Sequence, residues 1–137
     1  MAQPDNTDGE NSTFEIRLKD LAPSILRKRL LVEGFFSGEL SEARVREFLL
    51  DLSKRLGLRT YGEPVVYAPA SGMGRDENAG FDAFVPLIDS GISAYFWTGP
   101  RFFSVLIYTC KDFDDVAAVD ATRELLAAKD ETVTLKF

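Results

Sequence analysis

Ser90-Gly91-Ile92-Ser93-Ala94-Tyr95-Phe96-Trp97, Thr98-Gly99-Pro100-Arg101 and Phe102-Phe103-Ser104-Val105-Leu106-Ile107-Tyr108-Thr109-Cys110 follow one another without a break. The outer two runs are rich in aromatic and β-branched residues, which suit a pleated surface. The Gly-Pro pair between them suits a chain reversal, so the whole reads as a β-hairpin. Successive side chains on a strand alternate, so Phe102, Ser104, Leu106, Tyr108 and Cys110 face one way and Phe103, Val105, Ile107 and Thr109 the other. Both faces are largely apolar. Such a strand needs cover on both sides, with helices on one face and a second layer on the other.

Working outward, a third strand is expected over about 81–89, preceded by a long loop from Pro69 to Gly80 and a further strand over Thr60–Ala68. Leu40, Val45, Phe48, Leu49, Leu52 and Leu56 recur at helical spacing, with charged residues between them and Gly57 at the end, which predicts a helix over 40–56. Leu30 to Phe36 is too apolar for a solvent-facing strand and reads as a core strand. On the other side, Asp112 is placed to cap a helix over about 113–129, and Glu131 to Phe137 closes the chain as a strand. This alternation of strands and helices implies an α+β fold: one antiparallel sheet with both helices on one face. Residues 1–13 carry few apolar side chains and several acids and turn formers, so an acidic disordered tail is expected ahead of a single domain over 14–137. Phe14, Ile16 and Leu18 alternate with charged residues before Pro23 interrupts the pattern.

The 137 residues include 16 Lys+Arg against 22 Asp+Glu, for a formal net charge of −6. Nucleic-acid and anionic-membrane binding need clustered cations, and the only basic run is Arg27-Lys28-Arg29, so neither partner is expected. There is no histidine and one cysteine. A Ser-His-Asp triad, a Cys-His pair, a His-ligated zinc and an internal disulfide are therefore excluded within the chain. No run resembles a signal peptide or a spanning helix, which makes the cytoplasm the expected compartment. The loop Gly72-Met73-Gly74 lacks the GK[ST] or GxGxxG continuation of a phosphate loop, and Asp76-Glu77 and Asp114-Asp115 lack the alternation of a calcium loop; no metal is expected. Taken singly, Cys110 is a small hydrophobe at a strand end, Ser90 beside Gly91 is turn chemistry, and Tyr95 and Trp97 are sheet packing.

Their joint spacing changes that reading. Leu87-Ile88-Asp89-Ser90-Gly91-Ile92-Ser93-Ala94-Tyr95-Phe96-Trp97-Thr98 followed by Tyr108-Thr109-Cys110 resembles the core of the prokaryotic S-adenosylmethionine decarboxylases. In that family an acidic residue precedes a serine, a tryptophan follows seven positions later, and a Phe-Thr-Cys segment places cysteine twenty positions later. Ser90, Trp97 and Cys110 keep both spacings. Leu30-Leu31-Val32-Glu33-Gly34-Phe35-Phe36 also resembles the family's first strand, so the likeness covers about residues 29–137.

The resemblance implies self-cleavage at an acidic-serine bond, here Asp89-Ser90. The serine hydroxyl attacks the preceding carbonyl, and elimination from the ester leaves a pyruvoyl group in place of Ser90. That ketone condenses with a substrate amine and takes up electrons as carbon dioxide leaves, the work pyridoxal phosphate does elsewhere; the cysteine, Cys110, then returns a proton. Trp97 and Ile92 fall at candidate ligand contacts. The resemblance also implies two protomers stacking their sheets as an αββα sandwich, as a homodimer or as a heteromer with a paralogue, and S-adenosylmethionine or a polyamine as ligand.

Three positions depart from the family pattern. Its processing histidine, five residues after the serine, is Tyr95; its second processing serine, eight residues before, is Asp82; and its ribose-holding glutamate, two after the tryptophan, is Gly99. A phenol titrates near 10 and an imidazole near 6.5, so tyrosine is the poorer base at neutral pH. The expectation is therefore an unprocessed, decarboxylase-incompetent homologue without a cofactor that acts by binding or regulation. The alternative is an active pyruvoyl-dependent carboxy-lyase.

Overall fold

The computed structural model describes residues 19–68 and 75–137. The expected tail over 1–13, the alternation at Phe14–Leu18 and the Gly72-Met73-Gly74 loop lie outside the described residues. The elements run β1 (Lys28–Phe35), α1 (Glu42–Arg55), β2 (Val65–Tyr67), a single 3-10 turn (Asp76–Asn78), β3 (Gly80–Leu87), β4 (Ser90–Trp97), β5 (Phe102–Thr109), α2 (Asp115–Leu125) and β6 (Lys129–Lys136). They build one six-stranded sheet in the order β2-β3-β4-β5-β1-β6, and every pairing is antiparallel. The expected α+β architecture is the one observed.

Both helices lie on one face. Val45, Phe48, Leu49 and Leu52 of α1 are buried against Val85, Ile92, Ala94, Phe96, Val105 and Ile107 of the sheet, with Leu49 and Leu52 at 0% exposure. Each such side chain contributes about 1.5–3 kcal/mol on leaving water. Phe36 and Phe48 meet Phe96 edge-on at 6.0 and 6.1 Å, a geometry that suits the ring quadrupoles. The second helix, α2, presents mainly the small buried residues Ala118, Ala121 and Thr122, which lets it sit close.

Several boundaries differ from expectation for local reasons. Only Val65–Tyr67 of the expected Thr60–Ala68 strand joins the sheet, while Thr60 makes an isolated bridge to Leu87. Pro64 has no N–H to give a ladder, so pairing resumes only after it. Strand β1 starts at Lys28 because Lys28 and Arg29 pair with Thr109 and Tyr108. The cap of α2 is Asp114, whose Oδ1 accepts the Ala117 N–H at 3.1 Å, and not Asp112. That helix ends at Leu125, Ala127 takes a left-handed φ of 49°, and β6 begins at Lys129.

Among the described residues no element covers the face opposite the helices. Across it run Phe84, Ser93, Leu106, Leu31 and Leu135 in one row and Asp82, Tyr95, Ser104, Glu33 and Val133 in the next. Phe84 and Leu135 are 43% and 54% exposed. Phe84, Leu106, Leu31 and Leu135 supply the apolar row that the alternation in β5 requires, and Asp82, Ser104 and Glu33 make the next row polar.

Candidate active site at the β3–β4 turn

Ile88 and Asp89 form the two-residue turn between β3 and β4, closed by the Leu87–Ser90 pair. Register then fixes what lies beside Ser90: it pairs with Thr109 of β5, so Cys110 is brought next to the turn. The Asp89 carbonyl oxygen accepts the Cys110 N–H at 2.9 Å and lies 3.5 Å from its Sγ, which donates to it. Two donors from one residue thus converge on the carbonyl of the Asp89-Ser90 bond. Thr109, fully buried, anchors this end of β5 by donating from Oγ1 to the Lys111 carbonyl at 2.5 Å.

Ser90 has φ = 135°, a conformation that glycine adopts freely and serine does not. Strain of this kind stores about 1–3 kcal/mol. Gly91 follows it for a separate reason. A Cβ at that position would lie 2.5 Å from Cε1 of Phe84, whose ring rests against the backbone there. Chemically, the arrangement joins a hydroxyl, a strained peptide unit and a carbonyl already polarised by two donors. That is what attack of Ser90 Oγ on the Asp89 carbonyl needs, since donors aimed at the oxygen stabilise the negative charge that develops on it.

The other sequence candidates lie elsewhere. Tyr95 sits five residues along β4, roughly 16 Å away at about 3.3 Å per residue. It lies on the uncovered face between Asp82 of β3 and Ser104 of β5, and Ser104 Oγ donates to Glu33 Oε2 at 2.8 Å. Trp97 lies at the far end of the strand, where its ring centroid is 5.4 Å from that of Phe102, itself 5.6 Å from Phe35. Ile92 is 0% exposed on the helix side, where its side chain is part of the core. The fold therefore unites Asp89, Ser90 and Cys110 and separates Tyr95 and Trp97 from them within one chain.

A charge cluster beside this site carries no sequence signature. Lys28 Nζ lies 2.9 Å from Asp112 and 2.5 Å from Asp115, and Lys136 Nζ lies 2.9 Å from Asp115, which ties β1 and β6 to the start of α2. Partial burial works against charge on Lys28, but hydrogen bonds to Asp115 and Asp112 outweigh it and raise its pKa. The Lys28 hydrogen bond lowers Asp112, and hydrogen bonds from Lys28 and then Lys136 lower Asp115. Among the described residues there is no cluster of three metal-ligating side chains, and no helix is long and apolar enough to cross a membrane.

The family model described as S-adenosylmethionine decarboxylase matches residues 39–135. Among solved structures, the crystal structure of the adenosylmethionine decarboxylase from Aquifex aeolicus VF5 superposes with a TM-score of 0.59 at 20% identity, over 82% of this chain and 89% of that one. At that identity the likeness is one of fold. No curated protein matches the sequence.

Proposed function

The chain belongs to the S-adenosylmethionine decarboxylase family as a divergent member, and from that premise we propose that it is an unprocessed homologue that acts by binding or regulation. The observation that carries this reading is the Asp82–Tyr95 pair. These residues stand where the family pattern has its second processing serine and its histidine, and they face each other across β3 and β4. A carboxylate and a phenol replace a hydroxyl and an imidazole at neighbouring positions, so the loss falls on one functional unit. At roughly 16 Å along the strand, neither reaches Ser90 of its own chain.

Association through the uncovered sheet face belongs to the same proposal. Five strands of eight residues and one of three, about 4.8 Å apart, present roughly 700 Å², close to the ~800 Å² per partner of a standard interface. The favoured arrangement is a homodimer; a heteromer with a paralogue uses the same face. S-adenosylmethionine or a polyamine is the ligand class.

A second reading, an active self-processing decarboxylase, is favoured by the strained Ser90 and the doubly hydrogen-bonded Asp89 carbonyl. The residues present fit a pyruvoyl group, because Ser90 is its precursor and the donors around Asp89 suit its formation. Such a group supplies an electron sink for loss of carbon dioxide. Cys110, exposed beside the turn, is then the proton donor.

The intact mass of the purified protein decides between them. A single species near 15.3 kDa with an ordinary Ser90 is the expected result. Fragments of 89 and 48 residues (137 − 89 = 48), the second with a pyruvoyl terminus, overturn the unprocessed reading in favour of the active one.

A further inference from the structure

At the end of the sheet where β1 begins and β6 ends, Leu26, Arg27, Lys28, Arg29, Asp112, Lys136 and Phe137 line a cleft of about 370 Å³. Four of these side chains are cationic, and three are already engaged. Arg27 is paired with Asp20 and also donates to the Ala22 and Ile25 carbonyls. Lys28 is held by Asp112 and Asp115, and Lys136 by Asp115.

Arg29 is the exception. Among the described residues its side chain makes no ion pair, and its Nε is buried without a hydrogen-bond partner. Its guanidinium lies over the Phe137 ring, with Cζ 5.5 Å from the centroid, and the Phe137 N–H donates to the Arg29 carbonyl at 3.4 Å. The group is thus positioned by an aromatic platform, with its Nε lacking an acceptor. A buried donor without an acceptor is costly, and a guanidinium presents its N–H groups as a planar fork that matches a carboxylate.

We propose that this cleft binds a small monocarboxylate, with Arg29 as the recognising residue. Arg29 is the one cationic side chain of the lining without an ion pair among the described residues, and its planar fork suits a single carboxylate. A phosphate dianion would need a second uncommitted cation and would face the Asp112 carboxylate in the lining. Leu26 and Phe137 supply apolar walls for the body of the ligand, and the volume lies within the range of small-molecule sites. The cleft neighbours the Ser90–Cys110 turn, since Lys28 and Ser90 both pair with Thr109, but the proposal does not depend on whether the chain is processed.

The test is calorimetric titration of the full chain with benzoate, benzamide and inorganic phosphate at constant ionic strength. Saturable benzoate binding at least tenfold tighter than that of benzamide or phosphate is expected. Arg29→Gln should weaken benzoate at least tenfold, and Arg29→Lys, which keeps the charge but loses the fork, at least threefold. Lys136→Gln, at an engaged cation of the same lining, should change it less than threefold. Thermal melts of each unliganded variant check folding, and Arg29→Lys carries the test if Arg29→Gln does not fold. Equal affinity for benzoate and benzamide, phosphate binding as tight as benzoate, or an Arg29→Lys variant that binds benzoate unchanged overturns the proposal.

Discussion

Replacing Ser90 by glycine and, separately, by alanine isolates the strain at the candidate cleavage bond. Both variants lack the hydroxyl, so neither can cut the chain, and comparing them with each other removes processing from the measurement. At φ = 135° alanine keeps the steric conflict and glycine relieves it. The relief is worth about 1–3 kcal/mol, set against about 0.5–1 kcal/mol for glycine's greater loss of backbone freedom on folding. The glycine variant should therefore be the more stable by about 1 kcal/mol, and by up to about 2.5 if the strain is at the top of its range. Urea unfolding followed by tryptophan fluorescence reads this as a higher midpoint with an unchanged slope, since the surface exposed on unfolding is the same. Near the thermal midpoint, 1 kcal/mol corresponds to roughly 3–4 °C for a chain of this length. An alanine variant more stable than the glycine variant would refute the strained geometry, and with it the main support for self-cleavage.

Two further outcomes follow from the charge cluster and the uncovered face. Asp112 and Asp115 are held below the ordinary carboxylate range, so the stability they contribute is present above pH ~4 and is lost as pH falls through their lowered values. Urea midpoints between pH 2 and 7 should show that acid limb, and Lys28→Met should flatten it; an unchanged limb in the variant removes Lys28 as its cause. Phe84→Asp puts a charge on the uncovered face at a half-exposed position, so light scattering should show a dimer for the parent chain and a monomer for the variant, whereas a monomeric parent at micromolar concentration refutes the interface.

How much could be read from the sequence depends on whether a feature is set by neighbours along the chain or by strand order. The period of two in β4 and β5 and the helical stripe of α1 are local, and they placed the sheet, the helix face and the core residues Leu49 and Leu52. The local sequence places the cap of α2 at Asp112, and Asp114 takes it instead. What selects Asp114 is Lys28, which lies 84 residues before Asp112 in the chain and engages both Asp112 and Asp115. Nothing in the local sequence carries that information; it follows from β1 lying between β5 and β6.

The site divides along the same line. Ser90 and Cys110 meet because a two-residue turn and a hairpin of fixed length put Ser90 opposite Thr109, so a spacing of twenty residues is itself a statement of register. The strain at Ser90 has no such trace, since a serine at positive φ looks like any other serine, whereas glycine or asparagine would have announced the conformation. Asp82 and Tyr95 are thirteen residues apart and pair directly across the same turn, so their changed chemistry counts once and not twice. A chain that keeps the strained bond and its two carbonyl donors but alters the adjacent proton-transfer pair has separated the geometry of cleavage from its acid-base chemistry. The mass measurement therefore asks a defined question: whether strain and carbonyl polarisation alone drive the Ser90 hydroxyl onto the Asp89 carbonyl. The proton of that hydroxyl still needs an acceptor, and Tyr95 and Asp82 lie too far along the sheet to supply one within the chain.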